Sequence, residues 1–74
     1  MTHSRISSDP LVMMGKPCIR GTRITVEIIL RKLSKGMSAG QIVESYPHIS
    51  VDDKHAAQAF AADYLAGERV LAAE

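Results

Sequence analysis

A chain of 74 residues with one cysteine, Cys18, has few means of stabilising a fold. A domain of this size buries only about 60% of the surface that its unfolded chain exposes, so its core is small. Disulfides, metals and self-association are the usual reinforcements of such domains. One cysteine cannot form an internal disulfide, and a cysteine-based zinc site lacks its other ligands. We therefore expect a single domain, residues 1–74, without metal or cofactor, that forms a homodimer or binds a partner protein.

The sequence contains no pattern typical of secretion or membrane insertion. Residues 1–5 are polar apart from Met1, and the apolar core of a signal peptide does not follow them. There is no run of about 18 apolar residues, the length that a membrane-spanning helix needs. A single thiol suits a reducing compartment. These features predict a cytoplasmic protein that does not enter a membrane.

The first part of the chain, residues 1–24, has the pattern of extended, turn-rich structure. A short apolar-polar stretch begins at Ile6 and stops at Asp9-Pro10, and glycines follow at positions 15 and 21. Glycine adopts the positive φ that tight turns need, and proline keeps the residue before it extended. We predict a short β-hairpin around Gly15, with a third strand at residues 23–24 as a further candidate.

The second part, residues 25–72, predicts three helices. Thr25 is a good N-cap for the first helix, and Gly36 a good C-terminal stop. Ser38, with Gln41 three residues later, forms the capping-box pattern of a short second helix over about residues 39–45. Ser50 caps the third helix. The apolar face of the first helix consists of Val26, Ile29, Leu30 and Leu33, and the apolar stripe of the third consists of Ala56, Ala57, Phe60, Ala61, Tyr64 and Leu65.

These elements predict a mainly α fold, in which a short N-terminal β-hairpin precedes a three-helix bundle of helix-turn-helix type. The break at residues 46–49 is longer than the usual turn of that motif. Asp52 and Asp53 lie in the first turn of the third helix, where carboxylates suit the helix dipole. The same turn would face phosphates in a DNA-reading helix, and its two acids would repel them.

Residues suited to catalysis are few, and we expect no enzymatic activity. His3 lies in a terminus that we expect to be loose, and His48 follows Pro47 in a loop. His55 can pair with Asp52 at a spacing of three, which is more typical of a solvated surface pair than of a metal or acid–base site. Cys18, between Pro17 and Ile19, has the character of a small buried apolar residue. Neither a catalytic residue nor a metal ligand is predicted.

The charges divide unevenly along the chain. Residues 1–36 contain seven cations and two acids, whereas residues 37–74 contain two cations and six acids. This division can mark a surface for an anionic partner, or the two halves can simply neutralise each other. The candidates for contact with nucleic acid are four cations of the first half: Arg5, Lys16, Arg20 and Arg23. The alternative to nucleic-acid contact is a structural role, since an arginine near a tight turn often binds loop carbonyls.

The chain resembles a widespread bacterial and archaeal family of domains of unknown function. The resemblance rests on residues 15–26, GKPCIRGTRITV, and on further matches in the same order between about residues 6 and 65. Its motif residues are Gly15, Pro17, Ile19, Gly21, Thr22 and Arg23. Met14 stands where the family commonly has a glycine. The matches outside this block are Asp9-Pro10, Gly36-Met37-Ser38, Gln41-Ile42, Tyr46-Pro47, Ile49-Ser50 and Ala56-Ala57.

This resemblance implies a homeodomain-like helix-turn-helix fold and the role of an antitoxin. Such a protein binds and neutralises a PIN-like ribonuclease toxin encoded nearby, and represses the operon that they share. Because a ribonuclease presents a basic cleft to RNA, we expect an apolar docking surface with acidic flanks. The candidates lie in the C-terminal segment: Tyr64, Leu65, Glu68, Val70 and Leu71. Tyr64 and Leu65 can equally well close the core. The competing hypothesis is a regulator that acts alone as a DNA-binding dimer.

Overall fold

A computed structural model describes residues 3–68 of the protein. It contains two short strands followed by three helices, as the sequence predicts. The strands are β1 (Ile6–Ser7) and β2 (Cys18–Ile19), separated by a single 3₁₀ turn at Met13–Gly15. The helices are α1 (Val26–Ser34), α2 (Ala39–Ser45) and α3 (Val51–Glu68). The end of the predicted helical part, residues 69–72, lies outside the described residues.

The two strands form an antiparallel hairpin, with Ile6 opposite Ile19 and Ser7 opposite Cys18. The further strand considered for residues 23–24 does not form. Instead, the amide of Ile19 donates to the carbonyl of Ile24 (2.9 Å), and an isolated bridge joins Cys18 to Thr25. The reason is that Thr25 already caps α1, so the chain leaves the sheet after one pairing.

The loop between the strands contains two residues in a left-handed conformation that side chains disfavour. Met13 has φ 49° and Met14 has φ 57°. This conformation costs a residue with a Cβ about 1–2 kcal/mol, and glycine adopts it freely. A glycine at position 14 would adopt this conformation without that cost. The side chain of Leu11, in the same loop, is 90% exposed.

The predicted caps of α1 and α2 are confirmed. The Thr25 hydroxyl accepts a hydrogen bond from the amide of Ile28 (3.0 Å). Gly36 ends α1 with φ 91°, a conformation in which a side chain would be strained. Ser38 and Gln41 form the reciprocal capping box, with bonds of 3.1 and 2.8 Å. These local bonds set the bounds of α2 at the predicted residues.

The core lies where the hairpin packs on α1 and α3. Its buried residues come from every part of the fold except α2: Ile6, Ile19, Val26, Ile29, Ile49 and Ala57. Ile42 of α2 is also fully buried. Cys18 is only 2% exposed, as predicted for a small apolar residue. Burial raises the pKa of its thiol, which keeps it protonated and unreactive.

Candidate interaction surface

Arg20, one of the four predicted nucleic-acid cations, holds the N-terminal segment against the hairpin. Its Nε donates to the carbonyl of Ser4 (2.6 Å), and its guanidinium donates to the carbonyl of Ile6 (3.2 Å). Its backbone amide also donates to the carbonyl of Arg5 (2.7 Å). Arg20 therefore has the structural role that the sequence leaves as its alternative.

Arg23 differs from Arg20, because it forms no hydrogen bond or ion pair within residues 3–68. The turn before it is held by Thr22, whose hydroxyl donates to the carbonyl of Ile19 (2.8 Å) and accepts from the amide of Ile24 (3.0 Å). Gly21 supplies the φ of 81° that this turn needs. The residues around Arg23 thus shape the backbone, while its own exposed side chain is available to contact another molecule.

Replacing Arg20 with alanine should lower the free energy of unfolding by about 1–2 kcal/mol. A hydrogen bond from a charged donor contributes roughly 1.5–3 kcal/mol, and exposure to water reduces the value here. Arg23→Ala is the matched control, and it should change stability by less than about 0.5 kcal/mol. Urea denaturation followed by circular dichroism measures both values. Equal effects of the two substitutions would contradict the different roles assigned to them.

Arg5, the second predicted cation, contacts the first turn of α3. Its guanidinium lies 3.0 Å from Oδ1 of Asp53 and 3.7 Å from Oδ2 of Asp52. Asp53 is only 8% exposed, and it exchanges capping hydrogen bonds with Ser50 at 3.0 and 3.2 Å. Burial alone raises the pKa of Asp53, but the hydrogen bonds from Ser50 and Arg5 outweigh it, and the pKa lies below its ordinary value. Arg5 thereby compensates part of the acidic charge of this turn.

Lys16, the third predicted cation, forms a row of charges along α1 together with Glu27 and Arg31. Its Nζ lies 3.1 Å from one carboxylate oxygen of Glu27, and Arg31 lies 3.2 Å from the other. The hydrogen bonds from Lys16 and then Arg31 hold the pKa of Glu27 below its usual range. The row has two cations around one acid, so it is cationic overall. We call Lys16, Glu27 and Arg31 the charged rim.

Beside the charged rim lies an open groove of about 790 Å³. We call it the α1/α3 groove, because α1 and the C-terminal half of α3 form its two long walls. The loop between the strands adds Ser8, Gly15 and Pro17. Apart from these and two residues of the charged rim, Glu27 and Arg31, it is lined by Val26, Leu30, Ser34, Phe60, Ala61, Tyr64 and Leu65. The groove is thus apolar inside and charged along one edge.

Tyr64 and Leu65, predicted as partner-binding residues, are exposed in this groove. Tyr64 is 61% exposed and Leu65 59%, so neither closes the core. The ring of Tyr64 stacks on that of Phe60, with centroids 6.3 Å apart. Of the other residues predicted to bind a partner, Glu68 is the last residue of α3 in the structure, whereas Val70 and Leu71 lie outside the described residues.

His3 is bound to α3 rather than loose, so the expectation of a loose terminus is wrong at this residue. Its Nε2 lies 2.9 Å from Oδ2 of Asp63, and its ring packs edge-to-face with that of Phe60, with centroids 5.3 Å apart. The sequence could not reveal these contacts, because His3 and Asp63 lie sixty residues apart. Through Phe60, the N-terminal segment supports the floor of the α1/α3 groove.

The other two histidines form no side-chain contact of the kind described for His3 within residues 3–68. His48 and His55 are exposed, and within residues 3–68 no three histidine, cysteine, aspartate or glutamate side chains form a group able to hold a metal ion. In the same part of the chain, none of the helices has both the length and the apolar character that crossing a membrane requires.

Comparison with known proteins places the chain in one family. A family model described as a protein of unknown function, DUF433, matches residues 6–61. The crystal structure of a DUF433 member protein from Anabaena variabilis superimposes with a TM-score of 0.76 at 27% identity, over 80% of this chain and 58% of that one. This chain therefore spans little more than half of that relative. No curated protein matches it. The match over most of the sequence and the shared fold show that the chain belongs to the DUF433 family.

Proposed function

We propose that this protein is a non-enzymatic interaction module of antitoxin type, which binds and neutralises a PIN-like ribonuclease encoded by a neighbouring gene. The observation that carries the proposal is the α1/α3 groove with its exposed Tyr64 and Leu65. Large apolar side chains grouped in a rimmed depression are typical of protein-binding surfaces. Tyrosine in particular is enriched among residues that dominate binding energy.

The shape of the groove favours an apolar helix of the ribonuclease as its occupant. Two helical walls with an apolar floor suit the recognition mode in which an amphipathic helix lies in a groove. Arg31 lines one edge, with Lys16 bound to the same Glu27, whereas α3, the opposite wall, carries Asp63 outside the lining of the groove, bound to His3. Opposite charges on the two sides give a bound helix one preferred orientation. Asp63 supplies the acidic flank expected to meet a basic nuclease surface.

The test is co-expression of the chain with its neighbouring open reading frame, followed by copurification and a ribonuclease assay. We expect a stable complex in which the nuclease is inhibited. Leu65→Glu should weaken binding at least about tenfold, since it places a charge among apolar contacts. Leu11→Glu is the matched control, because Leu11 is a 90% exposed leucine outside the groove, and it should bind normally. A neighbour that is not nuclease-like, or that never associates, would contradict the proposal.

A regulator that binds DNA alone as a dimer remains the second proposal, and Arg23 is the observation that favours it. Three of the four predicted cations bind groups of the protein itself, whereas Arg23 has no partner within residues 3–68. If DNA is the partner, affinity for the promoter of its own gene should fall steeply with salt. Replacing Arg23 with alanine should flatten that dependence. Absence of binding at low salt would end this proposal.

A further inference from the structure

We propose that a second copy of this chain covers the α1/α3 groove in the free protein, with the two α3 helices antiparallel and Leu65 near the two-fold axis. A dimer of this kind is isologous, which means that the same surface of each copy forms the interface. That surface must therefore contain both the side chains that insert and the space that accommodates them. The groove contains both. The α3 wall presents the exposed Tyr64 and Leu65. Leu65 meets its counterpart at the axis, and the space between the walls, beside Val26 and Leu30, accepts Tyr64 of the other copy.

Charge complementarity identifies a second copy as the occupant. Near Leu65, α3 carries Asp63 and Glu68, whereas its other two acids, Asp52 and Asp53, lie in its first turn beside Arg5. Residues 26–35, which form α1 and its C-cap, include three cations and one acid, and the charged rim adds Lys16. A two-fold axis beside Leu65 places α3 of each copy along α1 of the other, and so brings acidic and basic surfaces together.

The antiparallel arrangement follows from the charges of α3 itself. Two parallel helices would place Asp63 beside its own counterpart and align the two helix dipoles side by side. The antiparallel arrangement opposes the dipoles and moves the two Asp63 side chains to opposite sides of the axis.

The size of the groove sets the expected strength of the dimer. Twelve residues line it, about half of the roughly 20–30 that one side of a standard stable interface contains. We therefore expect a reversible dimer that dissociates in the micromolar range, rather than an obligate one. This inference does not depend on the proposed function, because self-association is measured with no other protein present.

The first test is sedimentation equilibrium of the purified full chain over a range of concentrations. The wild type should change from monomer to dimer, and Leu65→Glu should raise the dimer dissociation constant at least about tenfold. Leu11→Glu, at a leucine that is even more exposed and lies outside the groove, should leave it unchanged. Circular dichroism checks that each variant is folded. A wild type that is monomeric at every soluble concentration, or a dimer insensitive to Leu65→Glu, would overturn the proposal.

A second test uses a cysteine placed near the proposed axis. In Leu65→Cys, two copies should join through a disulfide under mild oxidation, because the new thiols of a two-fold pair face each other there. Native Cys18 is buried and should not react. Leu11→Cys is the matched control and should cross-link far more slowly. Equal rates for the two variants would show random collision instead of the proposed dimer.

Discussion

Replacing Ile29 with alanine should lower the free energy of unfolding by about 2–5 kcal/mol, the usual effect of removing a large aliphatic side chain from a core. Ile29 has 0% exposure and belongs to the cluster in which α1 meets the hairpin and α3. A domain of 74 residues has a total stability of roughly 4–11 kcal/mol. The substitution therefore removes a large share of it, because so small a core has few other contacts to compensate.

Thermal and urea denaturation of Ile29→Ala and wild type measure this effect. The melting temperature should fall by about 8 °C or more, since each kcal/mol corresponds to roughly 4–8 °C in a domain of this size. Leu11→Ala removes the same kind of side chain from an exposed position and should shift stability by less than about 0.5 kcal/mol. A normal melting temperature for Ile29→Ala would mean that the core is not where the structure places it.

The helical part of this fold could be predicted from the sequence, because its determinants are local. The caps at Thr25, Ser38 and Ser50 each bind a group three residues away, so sequence spacing alone reveals them. The buried face of α1 follows from helical periodicity in the same way. The bounds of α2 match for this reason, since a capping box fixes its first turn.

Contacts between distant residues could not be predicted in this way. Arg5 and Asp53 lie 48 residues apart, and nothing in the local pattern of either indicates the pair. From the sequence, Arg5 is a candidate for nucleic-acid contact and Asp53 a helix-end acid, whereas in the structure the two form one ion pair. The left-handed backbone at Met13 and Met14 also has no sequence pattern, because side chains usually avoid it.

The α1/α3 groove could be predicted from the sequence only in part. The sequence identified Tyr64 and Leu65 as candidates, yet helical periodicity alone could not tell a core-closing pair from an exposed one. Only the packing of α3 against α1 decides this, and it leaves both side chains exposed. The sequence also could not distinguish the roles of Arg20 and Arg23, which flank the same turn. Arg20 binds carbonyls of the N-terminal segment and the hairpin, whereas the side chain of Arg23 extends away from the turn.

Replacing Asp53 with alanine should destabilise the protein by about 2–3 kcal/mol. The substitution removes the carboxylate that caps α3 through Ser50, a loss of about 1 kcal/mol, and also the charged partner of Arg5. The pH dependence should change as well. Because the pKa of Asp53 is lowered in the folded protein, its ionised form stabilises the fold above the unfolded pKa of about 3.9. That contribution disappears as the pH falls through the folded pKa.

Urea denaturation between about pH 6 and pH 2.5 measures both effects. The wild type should lose stability over the acidic part of this range, and the curve of Asp53→Ala should be flatter there. Asp52→Ala is the matched control, since Asp52 shares the same helical turn but is exposed and 3.7 Å from Arg5. Arg5→Ala should reproduce part of the loss, and adding it to Asp53→Ala should cost little more, because the pair is already broken. Fully additive losses would mean that the two side chains do not interact.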